Sequence, residues 1–268
     1  MHGVGGEDGT AQELLEILGI PFTGPAAAAC ARCMDKSLSK HAIREAGLPT
    51  PDWFAFSQTA FRELGAADAL GRLEHSLGFP LVVKPSRGGS ALGVKFAASA
   101  AEVPQALVSA FSYDDRVLIE RFVEGRELAV SVLGEEALPI VEAIPERGDG
   151  YDFEARYEIG RTRFVCPAEL GEGEAAAVTE AALATYRALG CSGFARVDLI
   201  LAADGPQVLE ANAIPGLTDT SLLPQAAEAA GMIAPPQERP TESWKKTRTL
   251  SAMSTRNCGA SWNANGII

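Results

Sequence analysis

Four polar residues late in the 268-residue chain have the types and spacing of a cation site. Arg196 and Asp198 lie in Phe194-Ala195-Arg196-Val197-Asp198-Leu199-Ile200, and Glu210 and Asn212 in Val208-Leu209-Glu210-Ala211-Asn212. Side chains alternate along a strand, so each pair shares a face. Asp204-Gly205 between the runs reads as a hairpin turn. That register sets Asp198 about opposite Glu210 and Arg196 about opposite Asn212. Asp, Glu and Asn are hard oxygen donors suited to Mg²⁺, which takes few carboxylates and completes its shell with water and phosphate. A salt-bridged, solvated sheet face is the alternative. The joint register of all four beside Pro215-Gly216 favours the cation.

A second group could hold phosphate. The apolar run 79–84 ends in Lys84 and continues into Pro85-Ser86-Arg87-Gly88-Gly89-Ser90-Ala91-Leu92-Gly93. Glycines let backbone N–H groups approach phosphate oxygens, and Ser90 adds a hydroxyl. Lys84 offers a point charge, and Lys36 is a second candidate, though a lone lysine there reads first as a solvated helix residue. The pattern G-x-x-x-x-G-K-[ST] is absent, so the reading is a glycine-rich lid over phosphates, against an ordinary flexible hairpin. A third run, Leu118-Ile119-Glu120-Arg121-Phe122-Val123-Glu124-Gly125-Arg126-Glu127, carries an apolar strand into spaced acids. Backbone groups near Arg121, Phe122 and Val123 would read a base edge, and a carboxylate would take ribose hydroxyls, as acids do in other nucleotide folds. A charged strand edge is the alternative. His2, His41 and His75 are far apart, and G-x-S-x-G, H-E-x-x-H and paired C-x-x-C sets are absent, which leaves triad hydrolysis and zinc chemistry unsupported.

Alternating helix and strand signals surround these groups. Helices are expected over 10–18, with a capping box at Thr10-Ala11-Gln12-Glu13, and over 35–46, 66–77, 99–111, 174–189 and 221–230. Strands are expected over 79–84, 94–96, 116–122, 127–133, 138–144, 161–165, 193–201 and 207–212. Leu48-Pro49-Thr50-Pro51 reads as an extended connector. The chain shows no internal repeat.

With 47% hydrophobic residues the chain can build a sizeable core. A formal charge of −12 argues against a nucleic-acid or anionic-membrane partner. The first residues show neither the basic nor the apolar region of a signal peptide. Five cysteines at irregular spacing make a poor disulfide framework and point to a reduced, intracellular protein. Residues 233–268 differ in character: five Lys/Arg against two Asp/Glu give +3, leaving −15 for residues 1–232. A disordered tail, an unrelated fusion or out-of-frame translation would each produce that break.

Taken together, the segments resemble the D-alanine–D-alanine ligases of the ATP-grasp superfamily. The matching runs are His2-Gly3 with Gly6-Glu7-Asp8-Gly9-Thr10, Pro21-Phe22-Thr23-Gly24, Met34-Asp35-Lys36, Val83-Lys84-Pro85-Ser86-Arg87-Gly88-Gly89-Ser90 and Val117-Leu118-Ile119-Glu120. They continue through Tyr151-Asp152-Phe153-Glu154-Ala155-Arg156-Tyr157, Arg196-Val197-Asp198 and Glu210-Ala211-Asn212 with Pro215-Gly216-Leu217-Thr218. The resemblance covers about residues 2–232. It implies an α/β (α+β) ATP-grasp fold in which two α+β subdomains sandwich ATP. Residues 1–24 would be a remnant of the N-terminal pre-ATP-grasp substrate domain. Residues 25–120 would form the central subdomain, 121–232 the C-terminal subdomain with the metal site, and 233–268 an atypical tail.

By the same resemblance, Lys36 and Lys84 bind ATP phosphates beneath loop 85–93. Glu120, Arg121, Phe122 and Val123 hold adenine, and Glu127 the ribose. Asp198, Glu210 and Asn212 bind two Mg²⁺ (or Mn²⁺) ions. Arg196 and the Gly216 N–H face the tetrahedral intermediate, Ser221 and Leu222 receive the second D-alanine, and His2 and Glu7 lie near the amino-acid pocket. Tyr157, on a closing loop, would meet Ser90. The implied activity is ATP-dependent synthesis of D-alanyl-D-alanine for peptidoglycan, in the cytoplasm, by a homodimer. Rivals are a D-alanine–D-lactate or other ATP-grasp carboxylate–amine ligase, and a nucleotide-binding fragment without turnover. Related depsipeptide ligases place histidine in the Tyr157 loop, and residues 76–268 contain none. This sequence departs from the family in four ways, one of them the unrelated tail that stands where the family's final helix should follow Met232. The family's initial strand and glycine-rich loop would lie before residue 1. The usual Asn-Thr-x-Pro-Gly is Asn212-Ala213-Ile214-Pro215-Gly216, and the usual Ala-Lys-Tyr is Ala155-Arg156-Tyr157.

Overall fold

The computed structural model describes residue 3 and residues 5–64, 66–89, 91–145 and 162–232, without the side chains of 64 and 66–70. His2, Ser90, Tyr157 and the tail 233–268 lie outside the described residues.

Two antiparallel sheets organise the chain. The first joins β1 (Trp53–Ser57), β2 (Leu81–Pro85), β3 (Lys95–Ala97) and β4 (Arg116–Arg121) in the order β1-β4-β2-β3. The helix Val103–Phe111 packs on it, and Leu81, Val83, Val103, Leu107, Val117 and Ile119 fill the space between. The second sheet joins β5 (Arg126–Leu133), β6 (Glu136–Ala137), β7 (Val141–Pro145), β8 (Thr162–Val165), β9 (Phe194–Ala202) and β10 (Gly205–Asn212). Its main path is β10-β9-β5-β7-β8, with β6 paired to β5.

Eight helices are described: α1 (Thr10–Ile17), α2 (Ala27–Met34), α3 (Lys36–Glu45), α4 (Gln58–Leu64), α5 (Ala66–Leu77), α6 (Val103–Phe111), α7 (Glu172–Ala188) and α8 (Leu222–Ala229). Strand alternation assigns the faces of the second sheet. Leu128, Val130, Val197, Leu199 and Val208 point into the core with Val178 and Ala182 of α7. Helices α2 and α3 contribute Cys30, Cys33 and Ile43 to that same core, although they precede the first sheet in the chain. The opposite face turns toward α8 through Ala129 and Val141, and it carries Arg196 and Asp198. Ala129 pairs with Asp198 and Ser131 with Arg196; these small neighbours leave room for long charged side chains.

β10 contains a bulge. Val208 pairs with Leu199, but Glu210 pairs with Asp198, so Leu209 is an extra residue. A regular ladder would set Leu209 opposite Asp198 and turn Glu210 and Asn212 toward α7. The bulge brings both polar residues onto the face of Arg196 and Asp198. The expected pairings Asp198–Glu210 and Arg196–Asn212 are both present.

Other details differ from the sequence reading. Thr10-Ala11-Gln12-Glu13 forms no capping box: Gly9 is the N-cap at φ 97°, and the Asp8 carboxylate accepts from the Thr10 N–H at 3.0 Å. The expected apolar face of α1 is largely exposed, Ile17 at 76%. The helix expected from 99 begins at Val103, because Glu102 folds back to accept from the Ala98 N–H at 3.0 Å and Ser99 Oγ at 3.2 Å. No helix among the described residues is long and apolar enough to cross a membrane.

Gly125, in the short link between the sheets, tests the packing. A Cβ there would lie 2.3 Å from the Leu201 carbonyl oxygen and 2.6 Å from Ile200 Cγ2. Gly125→Ala is expected to lower unfolding free energy by about 2 kcal/mol, the scale of overpacking. Gly173→Ala, in the first turn of α7 with open space around it, should gain about 0.5 kcal/mol from helix propensity. Urea denaturation of the two variants beside the parent checks both.

Candidate functional site

The cleft begins at the N-terminus of α3. The Asp35 side chain caps this helix, accepting from the N–H groups of Ser37 at 3.0 Å and Leu38 at 3.2 Å. Its carboxylate also takes Ser86 Oγ at 3.2 Å and Arg87 Nε at 3.4 Å. The Lys36 N–H donates to the Ser86 carbonyl at 2.9 Å. One helix terminus therefore anchors the base of the glycine-rich loop. The Lys36 ammonium donates to the Gly88 carbonyl at 2.7 Å and stands 3.4 Å from Glu210.

Lys84 and Glu120, neighbours across β2 and β4, are both buried and ion-paired. Lys40, absent from the sequence-based candidates, sits 3.0 Å from the other Glu120 oxygen. Burial pushes the Glu120 carboxyl upward, but the two ammonium groups outweigh it and hold it below its ordinary value. Glu210 behaves alike: burial raises it, while Lys36, Lys84 and Arg196 bring it down. Arg196 clamps Asp198 with two bonds of 2.7 and 2.8 Å, and that attraction raises its own pKa. Asn212 Oδ1 accepts from the Ile214 N–H at 3.1 Å.

Three hollows line up between the sheets. The central cavity, about 200 Å³, is bounded by Lys36, Lys84, Arg87, Glu127, Asp198 and Glu210, with Leu222 at its edge. Glu127 and Leu209 are shared with a smaller hollow lined by Val82, Phe96, Glu120, Arg121, Phe122 and Val123. The rings of Phe96 and Phe122 meet edge to face at 5.8 Å and form its apolar wall. On the other side, Lys36, Gly88, Gly89 and Glu210 are shared with a hollow that also takes in Glu7, Cys33 and Asn212. The row thus runs from a hollow walled by Val82, Phe96 and Phe122, through a centre lined by six charged residues, to a small hollow beside Glu7 and Asn212.

The structure gathers most expected residues around this row. The N–H groups of Arg121 and Phe122 are committed within the fold, donating to Asp52 O at 3.0 Å and Pro80 O at 3.1 Å; a base edge cannot use those two donors. Ser221 lies at the N-terminus of α8, its hydroxyl 2.8 Å from Thr218 Oγ1. A Cβ on Gly216 would come within 2.6 Å of the Ser221 hydroxyl, so glycine lets these two segments close. Sequence reasoning missed Lys40, Arg87 and Leu209. For Lys40 a signal was present: it stands four residues after Lys36, on the same helical face.

The oxygen donors suit a hard cation. Among the described residues no three His, Cys, Asp or Glu cluster as a closed metal site. Two carboxylates and one amide remain, a set that leaves positions for water and phosphate. In the central cavity Lys36, Lys84 and Arg87 face Glu127, Asp198 and Glu210, a near balance of charge. A polyanion entering it needs additional positive charge, which divalent cations on Asp198, Glu210 and Asn212 would bring.

Residues 42–236 match a family model described as the D-ala D-ala ligase C-terminus. A D-alanine–D-alanine ligase of Synechococcus sp. strain JA-3-3Ab is 44% identical over 232 residues, covering 86% of this chain and 70% of that protein. The crystal structure of the D-alanine–D-alanine ligase from Bacillus anthracis is similar at TM-score 0.78 and 36% identity, over 96% of this chain and 78% of that one. The Bacillus anthracis ligase complexed with ATP gives 0.76 and 35%, over 96% and 77%.

The Glu120 cluster predicts an acid limb of stability. A carboxyl held below its ordinary value of 4.5 contributes fully above that pH and loses the contribution as pH falls through the lower folded value. Glu120→Gln should cost about 3 kcal/mol at pH 7, because it strands two buried ammonium groups. It should also flatten the decline below about pH 4.5. Denaturant titrations from pH 3 to pH 7 read both effects.

Proposed function

The chain belongs to the D-alanine–D-alanine ligase family, and from that premise we infer which groups of its cleft carry out the ATP-dependent joining of two D-alanines. It is an ATP-dependent carbon–nitrogen ligase serving peptidoglycan synthesis. One observation carries the assignment of roles: the three hollows share walls in a row, with the two aromatic rings Phe96 and Phe122 at one end, Lys36, Lys84 and the carboxylates Asp198 and Glu210 in the middle, and Glu7 at the other end.

We assign adenine to the hollow walled by Phe96 and Phe122, beside Glu120, Arg121, Phe122 and Val123, and ribose to Glu127. Lys36 and Lys84 meet the phosphates, and loop 85–93 covers them. The first D-alanine occupies the end near Glu7, with His2 from outside the described residues. The second approaches Ser221 and Leu222. A carboxylate is a poor electrophile, and transfer of the γ-phosphoryl group converts the first D-alanine to an acyl phosphate. The amine of the second then attacks the acyl carbon, and phosphate leaves. Arg196 and the Gly216 N–H are placed to stabilise the oxyanion. Ser90 and Tyr157 belong to the closing segments in this reading, and closure keeps water from the acyl phosphate.

Asp198, Glu210 and Asn212 would hold two Mg²⁺ (or Mn²⁺) ions. Such ions neutralise charge on the transferring phosphoryl group. Both Asp198 oxygens now serve Arg196, so a cation there must share or replace that guanidinium. We also propose a cytoplasmic homodimer without nucleic-acid or membrane partners. Residues 25–120 and 121–232 would be its two ATP-grasp subdomains, 1–24 the remnant of the N-terminal domain, and 233–268 a tail. Helices α2 and α3 belong to the first subdomain by chain order and pack on the sheet of the second.

The protein with ATP, Mg²⁺ and D-alanine is expected to release phosphate and form D-alanyl-D-alanine. With D-lactate added, the dipeptide should remain the main product at pH 6 and pH 8 by mass spectrometry; a depsipeptide as main product would reject the assignment. Asp198→Asn, Glu210→Gln and Asn212→Ala should each weaken Mg²⁺-dependent binding of an ATP analogue by about tenfold or more while leaving the fold intact. Calorimetric titration with circular dichroism checks this. Loss of fold without loss of metal affinity would return the site to a plain salt-bridged face.

A further inference from the structure

Lys40 lines none of the three hollows described, yet its side chain is 0% exposed and charged. It lies one turn after Lys36 on α3. Its ammonium is 3.0 Å from Glu120 Oε2 and donates to Thr50 Oγ1 at 2.7 Å and to the Pro51 carbonyl at 3.2 Å. Thr50 Oγ1 in turn donates to the Val208 carbonyl at 2.7 Å, and Val208 precedes the bulged Leu209. The remaining Glu120 oxygen holds Lys84. A buried ion pair is weak evidence for stability, since apolar replacements often do as well. The third charge therefore needs a reason other than cohesion.

Electrostatics supplies one. A lone Lys84–Glu120 pair would be neutral, and the carboxylate would compete with phosphate for the Lys84 ammonium. With Lys40 on the second oxygen, the cluster keeps a net charge of about +1, and its field is little screened at this depth. We propose that Lys40 is a positioning residue that, through Glu120, keeps the Lys84 ammonium available to the nucleotide phosphates. The inference rests on the reading that Lys84 meets those phosphates.

The charged groups acting on Lys40 are Glu120 from β4, Lys84 from β2 and Arg44 from its own helix. Trp53 of β1 presents a ring at 5.2 Å, and the connector presents the Thr50 hydroxyl and Pro51 carbonyl. Burial pushes the Lys40 pKa down to about 8, against the pull of Glu120. An anion that favours the protonated cluster binds less well as Lys40 deprotonates, so nucleotide affinity should fall as pH rises through about 8.

The test is calorimetric titration of the full chain with a non-hydrolysable ATP analogue and Mg²⁺, from pH 7 to pH 9. It compares the parent with Lys40→Met and Lys40→Arg, the folded fraction being monitored throughout. Expected are binding by the parent that weakens above pH 8, and about tenfold weaker binding by Lys40→Met at pH 7, the effect of roughly one pKa unit of interaction. Lys40→Arg should bind near the parent level at pH 7 and keep that level at pH 9. No binding by the parent would reject the nucleotide reading itself. Parent binding matched by a folded Lys40→Met, or weakened there with the parent's pH slope unchanged, would overturn the Lys40 proposal alone. If Lys40→Met does not fold, Lys40→Arg decides: a flat profile supports the proposal, and the parent's slope overturns it.

Discussion

The cleft depends on one carboxylate. Glu120 stands on β4 of the first sheet and receives Lys84 from its neighbour β2. It also receives Lys40 from α3, a helix whose core residue Ile43 is buried with the second sheet. The cluster therefore joins β2 and β4 of the first sheet to α3 at full burial, beside the contacts of Asp35 and Lys36 with the loop after β2. Burying three charged groups is costly unless each finds a partner, and this mutual requirement fixes the spacing of the layers around the cavity. The loop that overhangs the cavity inherits its position from the same helix, through Asp35 and the Lys36 N–H.

The second constraint is geometric. A two-sided sheet must send alternate residues to a dry face and a wet one, and β9 does so without exception from Ala195 to Leu199. β10 needs its bulge at Leu209 to keep Val208 and Ala211 in the core while Glu210 and Asn212 face the cleft. The extra residue is used as well, because Leu209 lines both the hollow beside Phe122 and the central cavity.

Much of this was legible in the chain because it is local. The β9–β10 hairpin follows from alternation and a turn, although the bulge at Leu209 that sets Glu210 against Asp198 has no mark of its own in the sequence, and the glycine-rich loop announces itself by composition. Asp35 and Gly47 bracket α3 as a cap and a stop should. What was hidden depends on partners distant in sequence. α2 is a run of small residues, Ala-Ala-Ala-Cys-Ala-Arg-Cys-Met, whose apolar face is defined only by the sheet it covers. β1 directly follows a proline-rich connector and pairs with β4, far along the chain, from Ser57↔Arg116 to Trp53↔Glu120. At Thr10 the local motif was misleading, since Asp8 reached the helix N–H first. The role of Lys40 could not be read from composition, because a lysine four places along a helix usually meets solvent.

The placement of two lysines on one face of α3 has a consequence for how such a chain can diverge. Substitutions along the outer side of this helix, at Leu38 or His41 for example, leave the angular relation of Lys36 and Lys40 untouched. A single inserted or deleted residue between them would swing one lysine by about 100° around the helix axis. It would separate the group that faces the loop from the group that faces Glu120. The exposed positions of this helix, Leu38 and His41 among them, should therefore accept drift in residue identity, whereas the length of 36–40 should not change, and its conserved quantity is a phase angle as much as a pair of charges.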